Sequence, residues 1–269
     1  MTDTAPAAPP ATAAKAAPPR LTAAPSPGVP VVEGDRVDPL PGVYSSLKAR
    51  VWESREGVKI LGDAQAEEAR LWGTTAVRGS LTVGTLEVHG SLDVVGTLVA
   101  RGRVRVSGDL RVGGACAAEQ LDLNGSLRVG GALRVAGAVA GRGRISVEAD
   151  TELGELRFAG GVSSPGRLRA ERLELKVDHD SRLGGIDGGR VVVTQGGSPF
   201  ARKPTLVVLQ VEAAEASMDA VQCEYLRARR IALGATARVA RHDGEVVRRH
   251  RGARTGPESV SAPPPGLSR

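Results

Sequence analysis

A six-residue beat runs through the middle of the chain and restricts what it can fold into. From Gly79 the sequence reads GSLTV, GTLEVH, GSLDVV, GTLVAR, GRVRVS and GDLRVG, with glycines at 79, 84, 90, 96, 102, 108 and 114. Two and four positions after each glycine stand apolar residues: Leu81/Val83, Leu86/Val88, Leu92/Val94, Leu98/Ala100, Val104/Val106 and Leu110/Val112. Apolar residues two apart, with polar ones between, bury one face of a β-strand. The strands are therefore short, and a corner follows each one. Glycine suits a corner because it has no Cβ to clash at positive φ. The Asn-Gly or Asp-Gly turns that reverse a hairpin are nearly absent here, so the chain bends at each corner and does not double back.

Three such sides close one coil. The apolar positions 69, 86, 104, 121, 139, 156, 173 and 191 advance by 17 or 18 residues, the length of three sides. Coils stacked in this register pair side on side as parallel strands about 4.8 Å apart. The expected fold is all-β: a single-stranded, three-faced triangular parallel β-helix of about ten coils, a rod of roughly 50 Å. One coil alone cannot offset the ordering of its own backbone, so stability must come from its neighbours. The beat is weaker upstream, from Val58/Ile60, and looser downstream, where it takes in Leu209/Val211, Val221/Cys223, Leu226/Ala228 and Ile231/Leu233. Residues 178–190 and 195–205 break it and read as excursions thrown out at corners.

Composition agrees with a narrow core. The chain of 269 residues has 35 glycines but only six aromatic rings, two each of Phe, Tyr and Trp. Small aliphatic side chains fill a slim prism where rings fit poorly. Ten of the 17 prolines lie in residues 1–41 and four more in 257–265. The expected organisation is a disordered Ala/Pro-rich arm over 1–44, a β-helical domain over 45–250 and a disordered tail over 251–269. No apolar run approaches the ~18 residues of a membrane-spanning helix, and the first residues lack the pattern of a secretory signal. Cys116 and Cys223 are too few for a disulfide framework, so a cytoplasmic location is expected.

These repeats, clearest over 77–135 in GSLTV, GSLDVV, GDLRVGG and GSLRVGG, resemble the bactofilins, the polymer-forming cytoskeletal proteins of bacteria. LRAERLELKV (168–177) and GGRVVV (188–193) are similar to more extended members. The resemblance implies a right-handed coil, end-to-end self-assembly without nucleotide, a scaffolding role and no catalytic residues; partners recruited through the tails, and no metal or cofactor, are the expectations read from the residues themselves. This ladder is longer than the compact core of that family, and its second half is less regular.

An uncapped coil is a template for another molecule. The candidate self-association residues are Val58 and Ile60 at one end of the beat and Ile231, Leu233 and Val239 at the other. Leu233→Arg should then disperse polymers without unfolding the rod. Trp52, with residues 45–56, is a candidate cap over the first coil. Residues 226–254 hold nine arginines against two acids, a net of +7 in a chain of net +6. Arg227, Arg229, Arg230, Arg238, Arg241, Arg248, Arg249 and Arg251 are therefore candidates for binding nucleic acid or another anionic surface. Only Tyr225 lies among them as a stacking platform. Asp178-His179-Asp180 is the densest polar cluster, but consecutive strand residues point apart, so it reads as a solvated corner. His89 falls at an outward position. Cys116 and Cys223 fall on inward beats, as small apolar side chains. A hexapeptide-repeat acyltransferase is the enzymatic alternative. Large aliphatics at both inward positions of each side argue against it, because that left-handed coil usually wants an aliphatic residue followed at once by a small one and another small residue at the fifth place.

Overall fold

The computed structural model describes residues 29–196 and 204–256 as one parallel β-solenoid of about 13 turns, with no helix among them. Every strand pairing is parallel, and each turn joins three ladders. On the first face Leu47, Ala64, Leu81, Leu98 and Cys116 stack in register. On the second Ala69, Leu86, Val104, Leu121, Val139 and Leu156 stack, and Leu173 pairs with Val191. On the third Val58, Thr75, Leu92, Leu110, Leu127 and Ile145 stack. From Ala69 to Leu156 and from Leu173 to Val191 the second ladder reproduces the 17- and 18-residue steps of the sequence. At about 4.8 Å per turn the rod is about 60 Å long.

One apolar column fills the interior from Leu47 to Ala253. Each buried aliphatic side chain stabilises by about 1.5–3 kcal/mol, and only stacking completes that burial. Outward side chains form charge columns. On the second face Glu53, Arg70, Glu87, Arg105 and Asp122 stand above one another, one per turn. Arg70 lies 3.5 Å from Glu53, and Arg105 lies 3.9 Å from Glu87. Glu53 is buried under its arginines, while the other members of the column are partly or largely exposed, and exposed pairs contribute little individually, about 0–1 kcal/mol. Opposite charges on facing strands do favour this register over a slipped one.

One corner of the prism is built of glycine alone. Gly73, Gly90, Gly108, Gly125, Gly143 and Gly160 pair in succession, all at positive φ. A Cβ on Gly125 would lie 2.1 Å from the Gly108 carbonyl oxygen. The repeat thus needs glycine here both for its φ and for the close approach of consecutive turns.

Rings do enter the core, contrary to the sequence expectation. Trp52 is fully buried in the second turn and is no cap. The next turn offers Ala64, Ala66 and Ala69 at inward positions, and their small size leaves room for the indole. Phe158 is buried as well, paired with Gly141, which has no side chain to compete with the ring.

The rod is longer than its sequence beat. Residues 31–44, expected to be disordered, form a complete first turn: Val31–Val37 pairs with Ser46–Ser54, and Gly42–Tyr44 with Val58–Ile60. Turns near both ends take 15 residues, as in Val37 to Trp52 and Ala216 to Ile231, so their sides fall out of the six-residue phase. Pro39 and Pro41 lie at the corner between the first two strands, where no ladder N–H is required. At the other end Arg238–Arg249 and Arg254–Thr255 carry the fold past residue 250. Residues 1–28 and 257–269, the remainder of the expected arm and tail, lie outside the described residues.

Two internal expectations also change. Residues 178–180 do form a corner, but Ser181–Gln195 is a strand that buries Leu183 and Ile186, so the glycine-rich run is no excursion. Most of the 195–205 break lies outside the described residues. Leu209 points outward and is 58% exposed, while Val208 and Val211 point in. The run LVVLQV is apolar at both parities, so alternation alone cannot locate its corner.

Candidate functional site at the two ends of the rod

The residues proposed from sequence as end contacts are all interior. Val58 is 2% exposed, Ile60 0%, Ile231 0%, Leu233 2% and Val239 2%. Val58 and Ile60 are covered by Gly42 and Tyr44, Leu233 by Arg249, and Val239 by Thr255. The beat located the core correctly but stopped one turn short at each end, so core residues looked terminal.

The actual ends are two open sheet edges. Among the described residues, Val31–Val37 pairs only with Ser46–Ser54, and Gly42–Tyr44 only with Val58–Ile60. At the other end residues 241–249 pair only with the turn above them. Among the described residues each edge therefore presents a row of backbone N–H and C=O groups with no strand beyond it. Val31 and Val43 are exposed at the first end and Val247 at the last.

The arginines divide into paired and unpaired groups. Arg227 lies 3.4 Å from Asp243, Arg230 3.6 Å from Glu215 and Arg241 3.7 Å from Glu224. These three continue the outward charge columns. Among the described residues Arg229, Arg238, Arg248, Arg249, Arg251 and Arg254 form no ion pair within 4.0 Å. Arg249 Nη2 donates to the Ala253 carbonyl at 3.4 Å. Arg238 and Arg254 are adjacent on the third face, beside a shallow groove that includes Val207, Leu209 and Gln222. The basic stretch is therefore not one patch, because its members are spread over three faces.

Just before these turns a polar clasp closes a corner. Asp219 Oδ1 accepts hydrogen bonds from the Ala220 N–H at 3.0 Å, the Thr236 N–H at 3.0 Å and the Thr236 hydroxyl at 2.6 Å. Ala220, held by this clasp, has a φ of 56°, a left-handed conformation that a residue with a Cβ adopts at some cost. Burial pushes the Asp219 carboxyl up, but the bonds from Thr236 and Ala220 outweigh it and hold the group below its ordinary value. A lowered folded value means stability that is present above the unfolded carboxylate range and lost as pH falls through the folded value. Asp219→Ala should therefore cost about 1 kcal/mol at neutral pH. Thermal melts of the two proteins should converge in acid, and a difference that persists there would contradict the clasp.

The other polar groups sit as follows. Asp178-His179-Asp180 occupies a corner, where Asp180 accepts from the Thr205 N–H at 3.1 Å. Among the described residues no three His, Cys, Asp or Glu side chains gather as a metal site. His89 is outward, bonded to Glu87 at 3.0 Å and stacked on Trp72 with ring centroids 5.9 Å apart. Burial pushes the thiols of Cys116 and Cys223 up to about 12, so neither is a thiolate at neutral pH. Comparison with protein-family models, with curated proteins and with solved structures finds no match.

Proposed function

We propose that this protein is a non-enzymatic structural scaffold, bactofilin-like, that assembles end to end without nucleotide. The observation that supports this reading is the pair of open sheet edges, at residues 31–44 and 241–249, on a rod whose interior is otherwise closed. Such edges pair readily with another chain. A prism with outward charge columns would serve as a spacer and a platform. The Pro-rich terminal sequences would recruit protein partners, and the setting would be the cytoplasm. Sedimentation velocity and negative-stain imaging of the full chain test this. The expected result is rods whose length grows with concentration in steps of about 60 Å, the length of 13 strand spacings. A strict monomer at every concentration contradicts it.

A further inference from the structure

One outward column of the third face differs from those of the other two faces. It runs without a break from Val43 to Arg254, one residue per turn. It carries Lys59, Arg111, Arg128, Arg182, Arg238 and Arg254 against a single acid, Asp93. All six cations are exposed. Among the described residues none of the six has an ion pair within 4.0 Å, although Asp93 is the register neighbour of Arg111. Elsewhere the columns neutralise themselves. Arg70, Arg105 and Arg157 meet glutamates of neighbouring turns on the second face, and Arg134, Arg169 and Arg227 meet acids of neighbouring turns on the first. The third face also sets Arg111 directly on Arg128 and Arg238 directly on Arg254. Like charges opposed across a ladder destabilise it, and a polyanion laid on this face would relieve them.

We propose that the third face binds the phosphate backbones of double-stranded DNA lying along the rod, without regard to sequence. This goes beyond the scaffold reading and holds whether or not rods join.

The spacing of the cations points to a duplex. Lys59 lies three turns before Arg111, and Arg128 is the next turn after it. Arg182 lies three turns beyond Arg128, Arg238 three beyond Arg182, and Arg254 follows at the next turn. The four centres of charge are therefore evenly spaced at about 3.5 turns, or ~17 Å. B-form DNA repeats every ~34 Å, and each of its two strands faces the rod once per repeat, so a phosphate backbone passes on average every ~17 Å. From Lys59 to Arg254 the column spans about 53 Å, the length of ~16 base pairs.

The rest of the face fits this ligand. Ala76, Ser146 and Ser163 stand between the cations, and their small size lets a backbone approach. The column holds no aromatic ring, so unstacked bases find no platform on it. A strand face has no helix to enter the major groove, so contact stops at phosphates, which position a duplex and carry no sequence information. Asp93 and Asp109 oppose an anion here, and Arg144, two turns along the column of Asp109, offsets the second. An anionic bilayer attracts cations too, but it has no repeat for this spacing to match.

Fluorescence anisotropy of the full chain with a labelled 20-base-pair duplex, between 50 and 200 mM salt, tests the proposal. Wild type should bind two unrelated sequences equally, with a slope of log K against log salt near −5, as about six phosphate contacts require. R111S/R128S/R182S, changed only at exposed positions, should keep the wild-type melting temperature and bind at least tenfold more weakly, with a slope shallower by about 3. R229S/R248S/R251S removes the same charge off this column and should stay within threefold of wild type. No duplex binding by wild type at 50 mM salt overturns the proposal, as does equal weakening by the two triple variants, which would make the effect one of net charge alone. A single-stranded oligonucleotide of the same length bound as tightly as the duplex contradicts the spacing. Binding to phosphatidylglycerol vesicles without binding to duplex assigns the face to a membrane instead. None of these outcomes bears on whether the rods assemble, which sedimentation reads separately.

Discussion

Gly125→Ala is expected to lower the midpoint of thermal unfolding by roughly 10 °C. The added Cβ would sit 2.1 Å from the Gly108 carbonyl oxygen, at a φ of 145° that side chains rarely adopt. The strained backbone costs about 1–3 kcal/mol, and parting two turns loses hydrogen bonds worth about 1 kcal/mol each. A domain of this size loses about 2–4 °C for each kcal/mol. Gly57→Ala is the control. Gly57 is exposed, and the nearest atom to a new Cβ is the Thr74 oxygen at 3.8 Å, so its melt should be unchanged or slightly raised. Equal effects at the two positions would contradict the glycine corner.

Leu233→Arg should be nearly as damaging, and its damage should be local. Leu233 is buried between Met218 and Arg249, so the guanidinium would be stranded in an apolar column at a cost of about 3–5 kcal/mol. In a solenoid each turn contacts only its neighbours, so the lesion should stay near its end. Hydrogen exchange should show lost protection over about 221–256 and retained protection over 81–147. A variant that keeps full protection and merely fails to self-associate would place Leu233 on the surface, as the beat alone suggested.

The contrast shows how far the sequence could be read. Over Leu81–Val135 every inward residue was legible, because glycine marks nearly every corner and the sides repeat every five or six residues. The register from Ala69 to Val191 followed from the same spacing. The ends were not legible, for two physical reasons. Their turns shorten to 15 residues, which shifts the phase, and their inward positions hold Ser45 and His242 where a beat of Leu and Val would be sought. Prolines at 30, 39 and 41 added a disorder signal that an edge strand tolerates. The candidate site suffered most from this: the last turn found by pattern was taken for the end, and its core residues for contacts. The arginine cluster was visible as composition, but pairing separates its members. Arg227 and Arg241 belong to intramolecular ladders, whereas Arg248 belongs to an open edge.

Spin-label distances along one outward column test the stacked-turn architecture most directly. Lys48, Gln65, Thr82, Val99, Ala117, Arg134 and Glu152 occupy that column, one per turn. With labels at 48 and 152, diluted in unlabelled protein, the distance should be about 29 Å, and with labels at 82 and 152 about 19 Å, six and four strand spacings respectively. Distances that fail to shrink by about 10 Å when two turns are removed from the span would contradict the solenoid and everything built on it.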